Sequence, residues 1–165
     1  MNAPLAEMFR YNKWANLVLL EASRALSDAQ IDARLPGISG SPRELFLHLV
    51  GGQQTFVLRT QGRQHEGEWN RASRWPGFDA LIDVATSSSD ALIAIAAALE
   101  QDAEAGLPWQ GKVYRYPTSF FLVYALEHGV EHRTEIKLAL AQLGVQTPDL
   151  DAWQYSTAMG YGQAV

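Results

Sequence analysis

The sequence predicts an all-α fold, a four-helix bundle, and three observations lead to it. Four long segments repeat their apolar residues at the three-and-four spacing of one helical face. No internal repeat or second zone of composition divides the chain, so its 165 residues, 47% of them apolar, are read as one domain over 1–165. The connection over 63–77 is long, so helices two and three are expected to run parallel with a crossover between them, in up-down-down-up order.

Helix one, about residues 4–27, rests on Leu5, Met8, Phe9, Asn12, Ala15, Leu19, Ala22 and Leu26. The following Leu35-Pro36-Gly37-Ile38-Ser39-Gly40 cannot continue a helix, because proline lacks the amide hydrogen and glycine the conformational bias. Ser41-Pro42-Arg43-Glu44 restarts one, with serine as N-cap, proline at the first helical position and glutamate closing a capping box. On this second helix Leu45, His48, Leu49, Gly52 and Phe56 share a face. The aperiodic crossover carries Trp69, Arg71, Arg74 and Trp75. Helix three, about 78–102, shows Phe78, Leu81, Ile82, Ala85, Leu92, Ile95 and Leu99; Ser87-Ser88-Ser89 weakens its propensity without breaking the pattern, and Gly106 and Pro108 mark its end.

The alternating Gly111–Pro117 stretch predicts a short extended segment before helix four, as a lip or a hairpin arm. Helix four, about Ser119 to Leu143 and closed by Gly144, carries Tyr124, His128, His132, Ile136 and Leu140 in one i+4 row. The tail 147–155 is too aromatic for a disordered end and is expected to pack along the bundle or across a neighbouring subunit, while 160–165 are expected to fray.

With 13 Lys and Arg against 18 Asp and Glu, a net charge of -5, the chain offers no electrostatic footprint for nucleic acid or an anionic membrane. The absence of cysteine excludes a disulfide framework and thiolate ligands, leaving nitrogen and oxygen to hold any metal. Met1-Asn2-Ala3-Pro4 lacks the basic-then-apolar layout of a signal peptide, and no run of about 18 uninterrupted apolar residues occurs. A cytoplasmic location is therefore expected.

The chemistry lies in the histidines. His128 and His132 are four residues apart on one helical face, and His48 occupies the inward stripe of another helix. Three imidazoles converging in apolar surroundings need partners for their ring nitrogens, which a divalent metal supplies. Any one of them alone is better read as a core residue with its own hydrogen bonds, but three on two inward stripes favour a metal. Three histidines on zinc leave a position open to water or substrate, the pattern of catalytic sites. His65, in the crossover beside Glu66, is read as an ordinary exposed residue.

His128-Gly129-Val130-Glu131-His132 also fits the H-x-x-E-H string of inverted zinc peptidases. Such an enzyme needs a carboxylate ligand well downstream, whereas 33 residues follow His132 and the third candidate lies upstream. Glu131 is read as a solvated flank residue, ahead of a role orienting a ligand or pairing near Arg133. A di-iron bundle needs Glu-x-x-His twice, and the sequence contains it nowhere. Trp14 is read as packing, Asn16 as a polar flank, and Arg71, Arg74 and Arg115 as solvated loop residues that could also face an acidic substrate.

Tyr11-Asn12-Lys13-Trp14-Ala15-Asn16, the run from Ser41 to Val50 around His48, Glu131-His132-Arg133-Thr134 and Pro148-Asp149-Leu150-Asp151 together resemble the DinB (damage-inducible) family of metal-binding four-helix bundles, in order and spacing over nearly the whole chain. The resemblance implies a divalent metal, zinc or nickel, on His48, His128 and His132, a homodimer, and, in some relatives, thiol-dependent S-transferase or isomerase activity with a low-molecular-weight thiol as cosubstrate. Glu135 departs from the glutamine common after the final histidine, and its charge bears against an anionic cosubstrate. The expected function is a metal-dependent enzyme on a small molecule. The alternatives are a structural or sensory metal-binding dimer without catalysis, marked by a closed fourth protein ligand, and a metal-dependent hydrolase.

Overall fold

A computed structural model describes residues 2–64 and 67–162. His65 and Glu66 lie outside the described residues, as do 163–165 of the segment expected to fray. Tyr161, within that segment, is tied down: its hydroxyl donates to Glu7 Oε1 at 2.7 Å.

Helix α1 spans Ala3–Ala22, with Asn2 Oδ1 accepting from the Leu5 amide at 3.2 Å as its cap. It stops before the expected residue 27, passing into a 3-10 turn over Ser23–Ala25 in which Ser23 Oγ donates to Leu19 O at 2.7 Å. A one-turn helix, α2 (Asp28–Ile31), follows under a Ser27/Gln30 capping box; one turn is too short to leave a periodic signal. Helix α3 (Pro42–Thr60) starts at the Ser41/Glu44 capping box read from the sequence. The crossover has no helix or strand among its described residues. Helices α4 (Phe78–Ala98), α5 (Thr118–Gln142) and α6 (Ala152–Ala158) complete the helical part. Gly144 follows α5 at φ +70°, a conformation open to glycine without steric cost.

The all-α expectation is met in part. The fold is mostly helical with a two-stranded antiparallel sheet, β1 (Glu104–Trp109) paired with β2 (Lys112–Pro117). Gly106 and Pro108, read as the end of helix three, lie inside β1, and the helix itself ends at Ala98, with Leu99 already extended. Both strands are edges, so the proline and glycine within β1 cost few ladder hydrogen bonds. The extended segment before α5 is thus a hairpin arm. Its two-residue loop, Gln110 at φ 49° and Gly111 at φ 76°, has the positive dihedrals that match the twist of a hairpin.

The four long helices share a buried apolar cluster in which Leu19, Leu20, Leu45, Phe46, Leu81, Ile136 and Leu140 are fully buried. Phe46 stacks edge-on against Phe78 while Gln53 meets Ala85 and Ser88, so α3 and α4 advance in the same direction. His48 meets His132 while Phe56 meets Tyr124, so α3 and α5 advance in opposite directions. By length and mean hydropathy, 1.4 over its best window, α4 is apolar enough to cross a membrane. Here Leu81, Ala85, Leu92 and Ala96 pack inward, and Asp79, Asp83 and Asp90 interrupt the apolar run.

The tail packs on its own chain. Tyr11 donates to Leu150 O at 2.7 Å, and Tyr155 sits edge-on to Tyr11 and against Trp14, with its hydroxyl donating to Glu7 Oε1 at 2.6 Å. Trp14 is a packing residue, as read.

Candidate metal centre

Helix α3 supplies His48, and α5 supplies His128 and His132 one turn apart. Their ring centroids stand 4.9, 4.5 and 4.4 Å from one another, and one nitrogen from each can be chosen so that all three lie within 4.8 Å. Nitrogens sharing one ion at about 2.1 Å stand at most about 4.2 Å apart. A small inward rotation of the rings therefore completes the set, and the group could hold a metal ion. The rest of the α5 row is also buried, apart from Tyr124.

Burial sets the protonation of two of the histidines. It pushes His48 down to about 4, helped by the neighbouring His132 and Arg71, and His128 down to about 3, helped by His132, His48 and Arg71. Both rings are neutral at neutral pH, the form in which imidazole binds a metal. An all-nitrogen set fits a borderline divalent ion better than a hard one such as magnesium.

Glu135 orients His132. Its Oε2 lies 3.3 Å from His132 Nδ1, which leaves Nε2 as the nitrogen of that ring free for a metal, while Oε1 accepts from the Ser39 amide at 2.6 Å. Burial alone would raise the Glu135 pKa, but the bonds from Ser39 and His132 outweigh it and keep the group a carboxylate. Glu131 is exposed, in keeping with a solvated flank residue. The charge of Glu135 is engaged in these contacts, and Arg71, held to Ser39 Oγ at 3.0 Å, brings a cation near the histidines. Of the other loop arginines, Arg74 is exposed and Arg115 pairs loosely with Glu104 at 3.7 Å.

Two glycines make room for this arrangement. A Cβ on Gly51 would lie 1.7 Å from Trp69 O, so the crossover backbone can seat directly on α3 and wall the site. A Cβ on Gly52 would lie 2.4 Å from His128 Cε1. Gly52→Ala is accordingly expected to swing the His128 ring away and weaken metal binding at least tenfold in a chelator competition. Alanine raises helix propensity by up to about 1 kcal/mol over glycine, so the helix itself does not lose stability by propensity. Wild-type affinity in this variant would show that His128 is not held where the structure places it.

A buried polar network lies behind the histidines. Gln53 Oε1 accepts from Asn12 Nδ2 at 3.3 Å and Asn16 Nδ2 at 2.8 Å, and its Nε2 donates to Ala85 O, Ser88 Oγ and Ser89 Oγ. Arg133 Nη1 donates to Asn12 Oδ1 at 2.6 Å and Asn16 Oδ1 at 2.7 Å. Burial lowers the Arg133 pKa to about 10, which leaves the guanidinium charged at neutral pH. Asn16, read as a polar flank, is 2% exposed and belongs to this network. The signal that could have found it is Asn12, which already stood in the apolar stripe of helix one with Asn16 one turn on.

A cavity of about 240 Å³ opens beside the centre, lined by His48 and His128 with Thr55, Trp69 and Asn70. The fold and site define a mostly helical protein with a three-histidine group of metal-binding geometry at the edge of a cavity. The chain belongs to the DinB family, which it matches over residues 1–162. No curated protein matches it.

Proposed function

We propose that this protein is a metal-dependent enzyme acting on a small molecule, a thiol-dependent S-transferase in which His48, His128 and His132 hold one zinc or nickel ion and a low-molecular-weight thiol is the cosubstrate. The observation that carries this reading is the three-histidine group beside a cavity. A bound divalent ion would lower the pKa of a thiol or polarise an electrophile. The chain has no cysteine, so the thiol must come from outside. Glu135 fixes the ring of His132, and Trp69 and Asn70 line the cavity on the crossover side.

The same reading takes the four long helices as an up-down-down-up bundle, supported by the shared direction of α3 and α4 and the opposed direction of α3 and α5. It places the protein in the cytoplasm as a homodimer. Leu150 and Tyr155 turn inward on their own chain, so the apolar surface left for a second copy is Trp153, 80% exposed, with Val123, Val130 and Leu138 along α5. Light scattering at micromolar concentration is expected to give twice the 18.2 kDa chain mass. A monomer throughout that range overturns the dimer.

For the reaction, the expected result is C–S bond formation from thiols with chlorinated or epoxide electrophiles by zinc- or nickel-loaded protein, above a His128→Ala control. Hydrolysis of esters or amides without conjugation would replace the transferase with a hydrolase. Neither activity would leave a structural or sensory role for the site.

A further inference from the structure

A second cavity, of about 350 Å³, lies between the hairpin and the start of α5. Its wall is aromatic: Trp109 and Tyr114 from the hairpin are 62% and 41% exposed, and Phe120 and Tyr124 from α5 are both 43% exposed. Exposed rings at a hairpin could be a flat apolar patch, but these line a concavity of ligand size. The rings also lead somewhere. Tyr116 stacks on Phe120 at 5.3 Å, Phe120 contacts Tyr124 at 6.1 Å, Tyr124 contacts Phe56 at 4.6 Å, and Phe56 contacts His128 at 5.4 Å.

This cavity and the one beside the histidines share two lining residues, Tyr124 and Arg59. Arg59 is the single charged residue among those lining either cavity other than the histidines, and no carboxylate lines them. A cation in the last turn of α3 suits the helix dipole, which accounts for an arginine there. It does not account for a guanidinium set between an aromatic chamber and a metal-binding group, with no ion pair to another described residue. At 1.5 Å per residue, Arg59 stands about 16 Å along α3 from His48, and Phe120 about 12 Å along α5 from His128. An occupant reaching from the chamber toward the histidines is therefore elongated.

We propose that the chamber binds the arene of a planar aromatic organic anion, with Arg59 holding its carboxylate and its far end directed toward the histidine centre. The direction of the far end rests on the metal-dependent reading above; the chamber and its charge preference do not.

Calorimetric titration with 2-naphthoate, and with uncharged 2-naphthylmethanol as its neutral counterpart, tests this on metal-loaded protein. The wild type is expected to bind 2-naphthoate saturably and at least fivefold more tightly than the alcohol. Arg59→Gln is expected to abolish that preference, Arg59→Lys to retain part of it, and Phe120→Ala to weaken both ligands at least tenfold, each variant having the helical circular dichroism of the wild type. His48→Ala, assayed for metal in parallel, is expected to bind 2-naphthoate within twofold of the wild type. Absence of saturable binding by the wild type, or a preference that survives Arg59→Gln, overturns the proposal. Loss of 2-naphthoate binding in His48→Ala overturns it too, because the anion would then sit on the metal. If the wild type holds no metal yet shows the Arg59-dependent preference, the chamber stands and the metal-dependent reading falls.

Discussion

Replacing His128 or His132 with alanine is expected to take the protein from about one divalent ion per chain to below about a tenth of that, by elemental analysis after gentle purification. The reason is geometric. Two of the three nitrogens come from one helix face and the third from α3 across the interface, so any single loss leaves two ligands, too few for a site of this type. His48→Ala is expected to do the same, even though His48 is only half-buried, because it is the one ligand that closes the set from the facing helix. The burial that holds His48 and His128 neutral also means that few protons compete for these nitrogens at pH 7. A wild-type protein that carries no metal and takes up neither zinc nor nickel at neutral pH would remove the site assignment altogether.

Gln53→Leu is expected to lower stability by about 2–4 kcal/mol, read as a fall in the urea midpoint at unchanged slope. Leucine nearly preserves the volume, so packing changes little. What it removes is the acceptor for two asparagine amides and the donor to Ala85 O and to the Ser88 and Ser89 hydroxyls, all in a site where Gln53 is 3% exposed. Each buried group left without a partner costs roughly 1–3 kcal/mol, partly relieved where serine hydroxyls turn to their own helix carbonyls, as Ser88 does to Val84 O at 2.6 Å. The Asn12 and Asn16 amides would also be freer to turn, loosening the oxygens that face the Arg133 guanidinium. A change under about 0.5 kcal/mol would mean that the network does not hold the helices together in solution.

The sequence by itself determined the features that depend on local or periodic chemistry. The Ser41/Glu44 capping box places the start of α3 because its hydrogen bonds are closed within four residues. The histidines could be assigned to inward stripes because helical period puts His48 among Leu45, Leu49 and Phe56, and His128 and His132 in line with Ile136 and Leu140. The family was legible on the same grounds, through short motifs in a fixed order.

Only the tertiary structure decided what depends on partners distant in the chain. The hairpin was half-legible: β2 alternates, but β1 carries glycine and proline, and its identity comes from the strand it pairs with. Asn16 looks like a flank residue until Gln53 and Arg133, 37 and 117 positions away, are brought to it. Glu135 lies three residues from His132 on the same face of α5, but the Ser39 amide that also holds its carboxylate is 96 positions away. Leu150 and Tyr155 serve their own chain because Tyr11, Trp14 and Glu7 on α1 already offer a surface for them. Helical period fixes which face a side chain occupies; which partner waits opposite that face is set by how the helices and loops pack, and that information is spread over the whole chain.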